Sequence, residues 1–240
     1  METSYTFQLL DGPHITDEQL KACATLFSNN YGVWAPDAPA PLKPGGRVRM
    51  SAAKLRKECL SDLDKSLIVT CSLEGELVGH ACVTKWSYQR AYVGWVTQLV
   101  VDSRHRRRHI ATNMLRMLKQ HHPWVDDVTI IGIASSHPAA CNSLCNIFDG
   151  NTRDVDLPFI TLHAAAVLAC SPIPYLSAAP PCGALAGSPG NSYSANTSFF
   201  VDHAEPLGIL QLYVKDDKWA FGELLPGHEF LVLTPVPGHR

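Results

Sequence analysis

The residues with the clearest chemical potential lie in one segment that joins a predicted strand to a predicted helix. An apolar run at 92–101 is followed by a basic stretch at 104–109 and then by an apolar helical pattern at 111–121. A loop of this length aims the first N–H groups of the helix toward the strand end, where they bind anions. Four arginines add positive charge there, namely Arg104, Arg106, Arg107 and Arg108. The segment therefore predicts a site for a pyrophosphate.

The same basic run is also typical of a nuclear-import signal or of a nucleic-acid-binding surface. Import signals usually lie in exposed, disordered segments, whereas this run lies between a buried strand and an apolar helix. Nucleic-acid surfaces place aromatic side chains among the cations, and residues 104–109 contain none. The placement favours the phosphate site over nucleic acid.

Residues 98–112 resemble the acetyl-CoA loop of the GNAT superfamily of N-acyltransferases, whose pattern is Arg/Gln-x-x-Gly-x-Gly/Ala at the start of a helix. The pattern falls on residues 106–111 here, with His109 in the place of the first glycine. A side chain at that place is expected to crowd the pyrophosphate. The resemblance implies acetyl-CoA as the acyl donor. It implies donor contacts from Leu99, Val100, Val101, Arg106, Arg107, Arg108, His109, Ile110, Ala111 and Thr112. No metal is expected, because His137, Cys141 and Cys145 share a helix face but no fourth ligand appears at a fixed spacing.

The resemblance also implies an α/β fold with a mixed, mainly antiparallel central sheet and helices on both faces. In this fold the strand at 92–101 and the strand at 128–134 diverge as a V that holds the pantetheine arm. Residues 137–144 are similar to the family segment Asn-Pro-Ala-Ala-x-x-Leu-Tyr, which adds Asn142 to the expected donor contacts.

Both of the family's usual catalytic side chains are replaced. Gln98 stands where many members have a glutamate base, and an amide cannot accept a proton at neutral pH. Leu144 stands where members have a tyrosine. The candidate catalytic residues are therefore Gln98, by position, and His137, as a substitute base beyond the diverging strand. Backbone contacts to the pantetheine arm and the oxyanion, and the proximity of the two substrates, do not depend on these side chains, so activity is possible without them.

Tyr31 and Trp34 follow the first predicted helix, where family members line the acceptor pocket. The expected function is transfer of an acetyl group from acetyl-CoA to a primary amine of a small molecule or to a protein lysine. The alternative is a catalytically degenerate member that binds acyl-CoA as a sensor or scaffold, which His109, Gln98 and Leu144 favour.

The elements that position these residues follow from local patterns. Thr16 and Gln19 form a predicted capping box for a helix over 16–30. Gly75 predicts the turn of a hairpin. The other predicted elements are a helix at 51–63, strands at 67–73 and 77–86, helices at 138–148, 156–169 and 206–214, and strands at 198–203 and 229–233.

The chain is expected to form one GNAT-like domain over residues 1–240. Its core is 67–148, with acceptor-side helices in 1–66. A C-terminal extension at 149–240 includes a long loop at 171–197 that is rich in proline, alanine and glycine. The tail of this extension, around residues 199–203 and 227–231, is similar to that of uncharacterised fungal members.

Composition limits the other classes of protein. The net charge is −2 and charged residues make up 18% of the chain, so a strong field toward nucleic acid or acidic membranes is absent. The sequence contains no basic, apolar leader and no apolar stretch of roughly 18 residues. Eight cysteines without a CxxC pair are typical of reduced thiols. These features predict a cytoplasmic protein, with the nucleus as the alternative compartment.

Overall fold

The computed structural model describes residues 4–148, 150–187 and 192–237. The strands are β1 (Tyr5–Asp11), β2 (Ser66–Leu73), β3 (Glu76–Tyr88), β4 (Ala91–Val101), β5 (Val128–Ser135), β6 (Pro181–Gly183), β7 (Tyr193–Asn196) and β8 (His228–Pro235). The α-helices are α1 (Asp17–Asn30), α2 (Ala52–Cys59), α3 (Ile110–Lys119), α4 (His122–Val125), α5 (Pro138–Phe148), α6 (Leu157–Ala169), α7 (Pro174–Ser177) and α8 (Ala204–Lys215). Within these ranges, no helix has the length and apolar character that a membrane span requires.

The described strands form one mixed sheet in the order β1-β2-β3-β4-β5-β8-β7-β6. Neighbouring strands are antiparallel except β4 and β5, which run parallel. A parallel pair needs a crossover connection, and α3 and α4 lie within the one that joins β4 to β5. The predicted α/β class with a mixed, mainly antiparallel sheet is therefore confirmed.

Helices cover both faces of the sheet because successive strand residues point to opposite sides. In β2, the side chain of Ile68 packs in one apolar cluster with residues of α1 and α2. Its neighbours Leu67 and Val69 belong to the main core, which they share with residues of α3 and α5. Apolar side chains on both faces explain why the central strands read as nearly continuous apolar runs.

The parallel pair of β4 and β5 ends early, and this opens the sheet. Pairing stops where Val96 lies opposite Ile133. Thr97 then forms a β-bulge, and from Gln98 onward β4 pairs with β3 alone. The last residues of β5 pair with β8 alone. The two strands diverge as predicted, and we call the space between them beyond Val96 and Ile133 the gap.

Most elements lie where the sequence predicts them. The Thr16 hydroxyl accepts a hydrogen bond from the Gln19 N–H at 3.2 Å, and the Gln19 side chain accepts one from the Thr16 N–H at 2.8 Å. Gly75 has a φ of 84° in the turn between β2 and β3. The boundaries of α3, α5, α6, α8 and of β2, β3, β4, β5 and β8 agree with prediction to within two residues.

Two errors concern the N-terminal half. The strand β1 is not predicted because adjacent Leu9 and Leu10 break the alternation expected of a strand at the edge of a sheet. The predicted helix over 51–63 ends at Cys59, because Leu60 leaves helical geometry with φ −135° and ψ 48°. Leu60 is buried, so its apolar side chain contributes to the core without extending the helix.

Two further errors concern the C-terminal extension. The predicted loop over 171–197 contains α7, β6 and β7, and its residues 188–191 lie outside the described ranges. The predicted strand over 198–203 makes only an isolated bridge between Val201 and Trp34, because Ser198 has a φ of 56° and interrupts extended geometry. The first error arises because β7 forms by pairing with β8, more than thirty residues away, and not from a local pattern.

Close packing at the parallel pair depends on Gly132 of β5. A Cβ atom built there would lie 2.4 Å from the Trp95 ring and 2.7 Å from a methyl group of Leu233. Trp95 is completely buried. The absence of a side chain at Gly132 therefore lets this indole lie directly against the backbone of β5.

We expect Gly132→Ala to lower the free energy of unfolding by about 1–3 kcal/mol, because the methyl group forces the buried Trp95 ring to move. Urea denaturation monitored by circular dichroism measures this. Gly208→Ala is the matched control, since Gly208 is exposed in α8 and a Cβ there meets no atom within 4 Å. The control is expected to raise stability by about 0.5–1 kcal/mol. An unchanged unfolding midpoint for Gly132→Ala would contradict the close contact.

Candidate active site

The basic loop begins with a tight turn held by Asp102. Its carboxylate accepts hydrogen bonds from the Arg104 backbone N–H at 2.9 Å and from the Arg104 guanidinium at 3.0 and 3.1 Å. These bonds to Arg104 hold the pKa of Asp102 below its usual value. The guanidinium of Arg104 also pairs with Glu76 at 3.5 Å. Arg104 therefore shapes the loop, and its charge is balanced by neighbouring carboxylates.

Two loop residues, Arg107 and His109, have a left-handed backbone with φ of 59°. His109 is the N-cap of α3, with ψ of 15°. Glycine adopts this conformation most readily, so the backbone at His109 has the geometry that a glycine would give. Within the described chain, the N–H groups of residues 106–112 make no hydrogen bond. They remain available to an anion, as predicted for a phosphate site.

Two of the arginines are exposed beside these N–H groups. Arg107 and Arg108 lie on the surface of the loop. The Tyr5 hydroxyl of β1 is 3.2 Å from the Arg108 guanidinium and 3.0 Å from Nδ1 of His105. The unpredicted strand β1 thus steadies the loop. Ile110 is buried at the start of α3, which anchors the helix whose first turn also contains Ala111 and Thr112.

The last part of β4 lies beside the gap. Leu99, Val100 and Val101 continue past the point at which β5 diverges and pair only with β3. The side chain of Val100 is buried in the small cluster that includes Phe27. Within the described residues, the edge of β4 that faces the gap has no strand partner here. The Val101 carbonyl accepts a hydrogen bond from Arg106 Nε at 3.4 Å, and the edge is otherwise open to an extended ligand.

Arg106 reaches across the mouth of the gap. Its guanidinium lies 2.5 Å from a carboxylate oxygen of Glu205 and donates to the Asn30 carbonyl at 2.8 Å. His137 Nε2 is 3.9 Å from the same Glu205 oxygen, and His137 Nδ1 accepts a hydrogen bond from the Ala139 N–H at 3.2 Å. Burial, with a smaller contribution from Arg106, lowers the pKa of His137. Because Nδ1 caps α5, the neutral ring carries its proton on Nε2 and offers no free lone pair.

Gln98 lies on the β4 wall of the gap, but its amide is held by neighbouring side chains. Its Oε1 is 2.6 Å from Nε2 of His80, which lies two residues along β3 from the pairing partner of Gln98, and its Nε2 is 3.9 Å from the Cys59 sulfur. Both Gln98 and His80 are buried. Burial lowers the pKa of His80 to about 4, so the imidazole is neutral. Gln98 therefore has a structural role between two buried side chains.

A carboxyl group that the sequence does not single out lies at the other wall of the gap. Glu229 is on β8, next to the Phe230–Ser135 pair that closes the end of β5. Its side chain is 8% exposed. Burial raises the pKa of Glu229 to about 7, although the Ser136 N–H and the neighbouring Thr197 hydroxyl favour the charged form. Among the described residues, Thr197 Oγ1 has no hydrogen-bond partner of ordinary geometry, so burial dominates.

Two tyrosines accompany this carboxyl group. The hydroxyl of Tyr175, on α7, donates to the Thr97 carbonyl at the β-bulge, with a distance of 3.2 Å. Burial raises the pKa of Tyr175 well above its usual value, and the charge of Glu229 adds to the effect. Burial and the charge of Glu229 also raise the pKa of Tyr31, at the end of α1. Both tyrosine hydroxyls are therefore within reach of the electrostatic field of the Glu229 carboxylate.

An aromatic wall formed by Phe27, Tyr31, Trp34 and Phe199 lines the side of α1. Tyr31 stacks on Phe27 with ring centroids 4.3 Å apart, and Phe199 contacts Tyr31 at 5.6 Å and Trp34 at 5.4 Å. The two residues predicted for the acceptor pocket are thus brought together by a residue of the C-terminal extension.

Asn142 lies elsewhere. Its Oδ1 lies 3.4 Å from the Thr152 hydroxyl, which donates to the Lys218 carbonyl at 2.6 Å, and its side chain also bonds to Tyr213 of α8. These contacts turn the amide toward the C-terminal extension. Its predicted contact with acetyl-CoA stays a prediction.

One feature of the sequence could have singled out Glu229. A single acidic residue stands beside the apolar strand run at 230–233, and buried carboxylates are rare unless they are paired or functional. Tyr175 lies in a segment rich in proline and alanine, and no local pattern connects it with the distant bulge at Thr97.

In the described part of the chain, no group of three or more histidine, cysteine, aspartate or glutamate side chains is arranged to hold a metal ion. Cys23, Cys59, Cys71, Cys82 and Cys141 are buried. Burial raises the pKa of Cys23 and of Cys59 to about 12, which keeps both groups as neutral thiols.

Comparison with known proteins gives a family match for a little under half of the chain. Residues 32–141 match the sequence model described as the acetyltransferase (GNAT) family. These residues form a GNAT acetyltransferase domain. The match begins at the aromatic wall and ends in α5, so it includes β4, the basic loop and β5 but excludes Tyr175, Glu205 and Glu229. No curated protein matches this chain.

Solved structures include similar acetyltransferases. A GNAT-family acetyltransferase from Streptococcus pneumoniae has 12% identity and a TM-score of 0.39, over 55% of this chain and 74% of that one. An aminoglycoside acetyltransferase from an uncultured soil metagenomic sample has 20% identity and a TM-score of 0.37, over 55% and 80%. A chain of the NatC complex bound to Gag peptide and CoA has 14% identity and a TM-score of 0.42, over 64% and 91%. These likenesses do not indicate the acceptor of the present GNAT domain.

We expect His109→Gly to tighten acetyl-CoA binding by this GNAT domain, because the imidazole no longer crowds the phosphate loop. A left-handed backbone costs a non-glycine residue about 1 kcal/mol, so the variant should also keep or gain stability by up to about that amount. Isothermal titration with acetyl-CoA and the melting temperature of the free protein test both effects. Weaker binding, together with a wild-type affinity that falls between about pH 6 and pH 8, would instead show that the imidazole is a phosphate donor.

The raised pKa of Glu229 predicts a pH-dependent stability. Its usual value is 4.5 and its folded value is about 7, so between these the folded protein keeps a proton that the unfolded chain loses. Stability therefore falls as pH rises through this window, and the loss is complete above about pH 7. The full loss is roughly 3 kcal/mol.

Glu229→Gln should accordingly be more stable than the wild type at about pH 8, and the difference should shrink toward pH 5. Chemical denaturation at the two pH values measures this. Glu223→Gln is the control, since it changes an exposed carboxyl group in the same segment. A destabilised Glu229→Gln variant at pH 8 would mean that the carboxylate is stabilised where it lies.

Proposed function

We propose that this GNAT domain transfers an acetyl group from acetyl-CoA to a primary amine of a small molecule or of a protein lysine. One observation carries the proposal. The free N–H groups of residues 106–112 follow closely on the part of β4, at 98–101, that no longer pairs with β5. An anion site and an extended channel therefore share one end.

Acetyl-CoA, the acyl donor, fits this arrangement along its whole length. Its pyrophosphate takes the N–H groups of the loop, with Arg107 and Arg108 as exposed counter-charges. Its pantetheine arm runs along Leu99–Val101 in the gap. The strand from Val101 back to Thr97 spans roughly 13 Å, so the thioester reaches the β-bulge. Backbone N–H groups near the bulge can stabilise the oxyanion that forms there.

The acceptor approaches from the side of the aromatic wall. Tyr31 belongs to this wall, and the charge of Glu229 also affects the pKa of its hydroxyl. Aromatic faces attract cations, and most primary amines are protonated at neutral pH. The wall therefore suits an amine better than a neutral alcohol.

The second candidate function is that of an acyl-CoA sensor without turnover. Gln98 is bonded to His80, and Leu144 is completely buried in the core, so neither usual catalytic position holds a group that exchanges protons. The sensor and the enzyme make the same prediction for acetyl-CoA binding. They differ in whether CoA is released when an amine is present.

We expect acetyl-CoA to bind and to raise the melting temperature, because a ligand of the folded state stabilises it. Arg106→Glu should weaken binding at least about tenfold, since it removes a charge-assisted contact and adds a second carboxylate beside Glu205. Arg90→Glu is the matched control, because Arg90 is exposed and far from the loop in sequence. Isothermal titration of the three proteins measures these affinities.

An absence of heat and of any melting shift at millimolar acetyl-CoA would exclude both the enzyme and the sensor. Equal weakening by the two arginine variants would show that the basic run acts only as a diffuse field. Release of CoA in the presence of spermidine, glucosamine or a lysine-containing peptide would select the enzyme.

A further inference from the structure

We propose that the C-terminal extension supplies the proton-transfer groups of this domain, with Glu229 as the proton acceptor for the amine and Tyr175 as the proton donor to the leaving sulfur. The inference rests on the proposed function. Both residues lie outside the segment that matches the GNAT family. They would replace the groups that are missing at Gln98 and Leu144.

Their positions place them on opposite walls of the gap. Tyr175 is bonded to the carbonyl of Thr97, at the point where β4 separates from β5. Glu229 is on β8, beside Ser136, which follows directly on β5. The charge of Glu229 influences the ionisation of Tyr175 and of Tyr31. A thioester at the β-bulge would therefore lie between the carboxyl group and the phenol.

The charge environment suits these two roles. Glu229 is nine-tenths buried. Among the described residues, its pKa is affected by burial and by the uncharged groups of Thr197 and Ser136, and no cation neutralises it. The titratable groups that respond to its charge are Tyr31, Tyr175 and Cys141. A carboxyl group that titrates near neutrality is matched to a general base at working pH. Tyr175 stays protonated and can donate.

The Glu229 carboxylate takes one proton from the ammonium group of the acceptor and later releases it to solvent. The nitrogen lone pair forms a C–N bond to the thioester carbon, and the C–S bond breaks with its electron pair on sulfur. Tyr175 gives its proton to this thiolate, and the second proton on nitrogen returns to the tyrosinate. The products are one amide, one CoA thiol and one proton in solution.

Acetyl-CoA binding tests the placement of Glu229 without any acceptor. A thioester that displaces water from the gap disfavours the carboxylate, so the wild type should take up as much as about 0.5 proton per site at pH 7. Titration calorimetry in buffers of different ionisation enthalpy measures this uptake. Glu229→Gln should bind acetyl-CoA within about threefold of the wild type but lack the extra uptake, whereas Glu223→Gln should keep it.

Turnover tests the two roles. With spermidine, glucosamine or a lysine-containing peptide as acceptor, kcat/KM of the wild type should rise with pH through about 7. Glu229→Gln should lower it about 100-fold or more and remove this rise. Tyr175→Phe should lower kcat about tenfold or more, with the affinity for acetyl-CoA unchanged. Tyr193→Phe, a change of another partly buried tyrosine in the extension, is the control.

The outcomes separate this inference from the proposed function. If the wild type does not bind acetyl-CoA, both fail. If binding is intact but Glu229→Gln takes up as many protons as the wild type, the inference alone fails. Full turnover by Glu229→Gln, or by Tyr175→Phe, would likewise overturn the role of that residue while leaving the acetyltransferase in place. If none of the three amines reacts, the difference in proton uptake between the wild type and Glu229→Gln still tests the placement of Glu229.

Discussion

The functional part of this protein depends on where the hydrogen bonds between β4 and β5 end. Pairing stops at Val96 and Ile133, and Thr97 bulges out of β4 immediately afterwards. β8 holds the end of β5 from its far side, so the divergent strand keeps one satisfied edge. An unpaired edge must find other partners. The same constraint therefore creates the channel, exposes its backbone groups and brings β8, with Glu229, to its wall.

The sequence correctly predicts those elements that depend on interactions between residues close together in the chain. The capping box at Thr16, the turn at Gly75 and the strand–loop–helix unit at 98–112 depend on neighbours within a few residues, and all three form. β1 and β7 form by pairing with strands that lie far away in sequence. For the same reason the sequence locates the basic loop but does not single out Glu229 and Tyr175. Glu229 is placed beside the gap by the pairing of β8 with β5, and Tyr175 by α7.

His109 illustrates how a substitution can change chemistry and keep geometry. The replacement of a glycine by histidine suggests an obstructed loop, yet the backbone at His109 remains left-handed. The loop is held from outside, by Asp102 through Arg104 and by Tyr5 through His105. Conformational preference at a single residue is small beside several such hydrogen bonds. The identity of one residue therefore says less about this loop than the contacts that enclose it.

The ion pair between Arg106 and Glu205 means that a phosphate binding to Arg106 replaces one ionic contact with another. Any phosphate that engages Arg106 must displace a carboxylate already bonded to it, so the net gain is the difference between two charge-assisted interactions. Salt screens both of them. The affinity of this site for a phosphorylated ligand should therefore depend on ionic strength less steeply than the number of arginines in the loop suggests. Glu205, once released from Arg106, would leave its negative charge facing His137 at the start of α5. Phosphate binding at the basic loop would therefore change the electrostatic environment of His137.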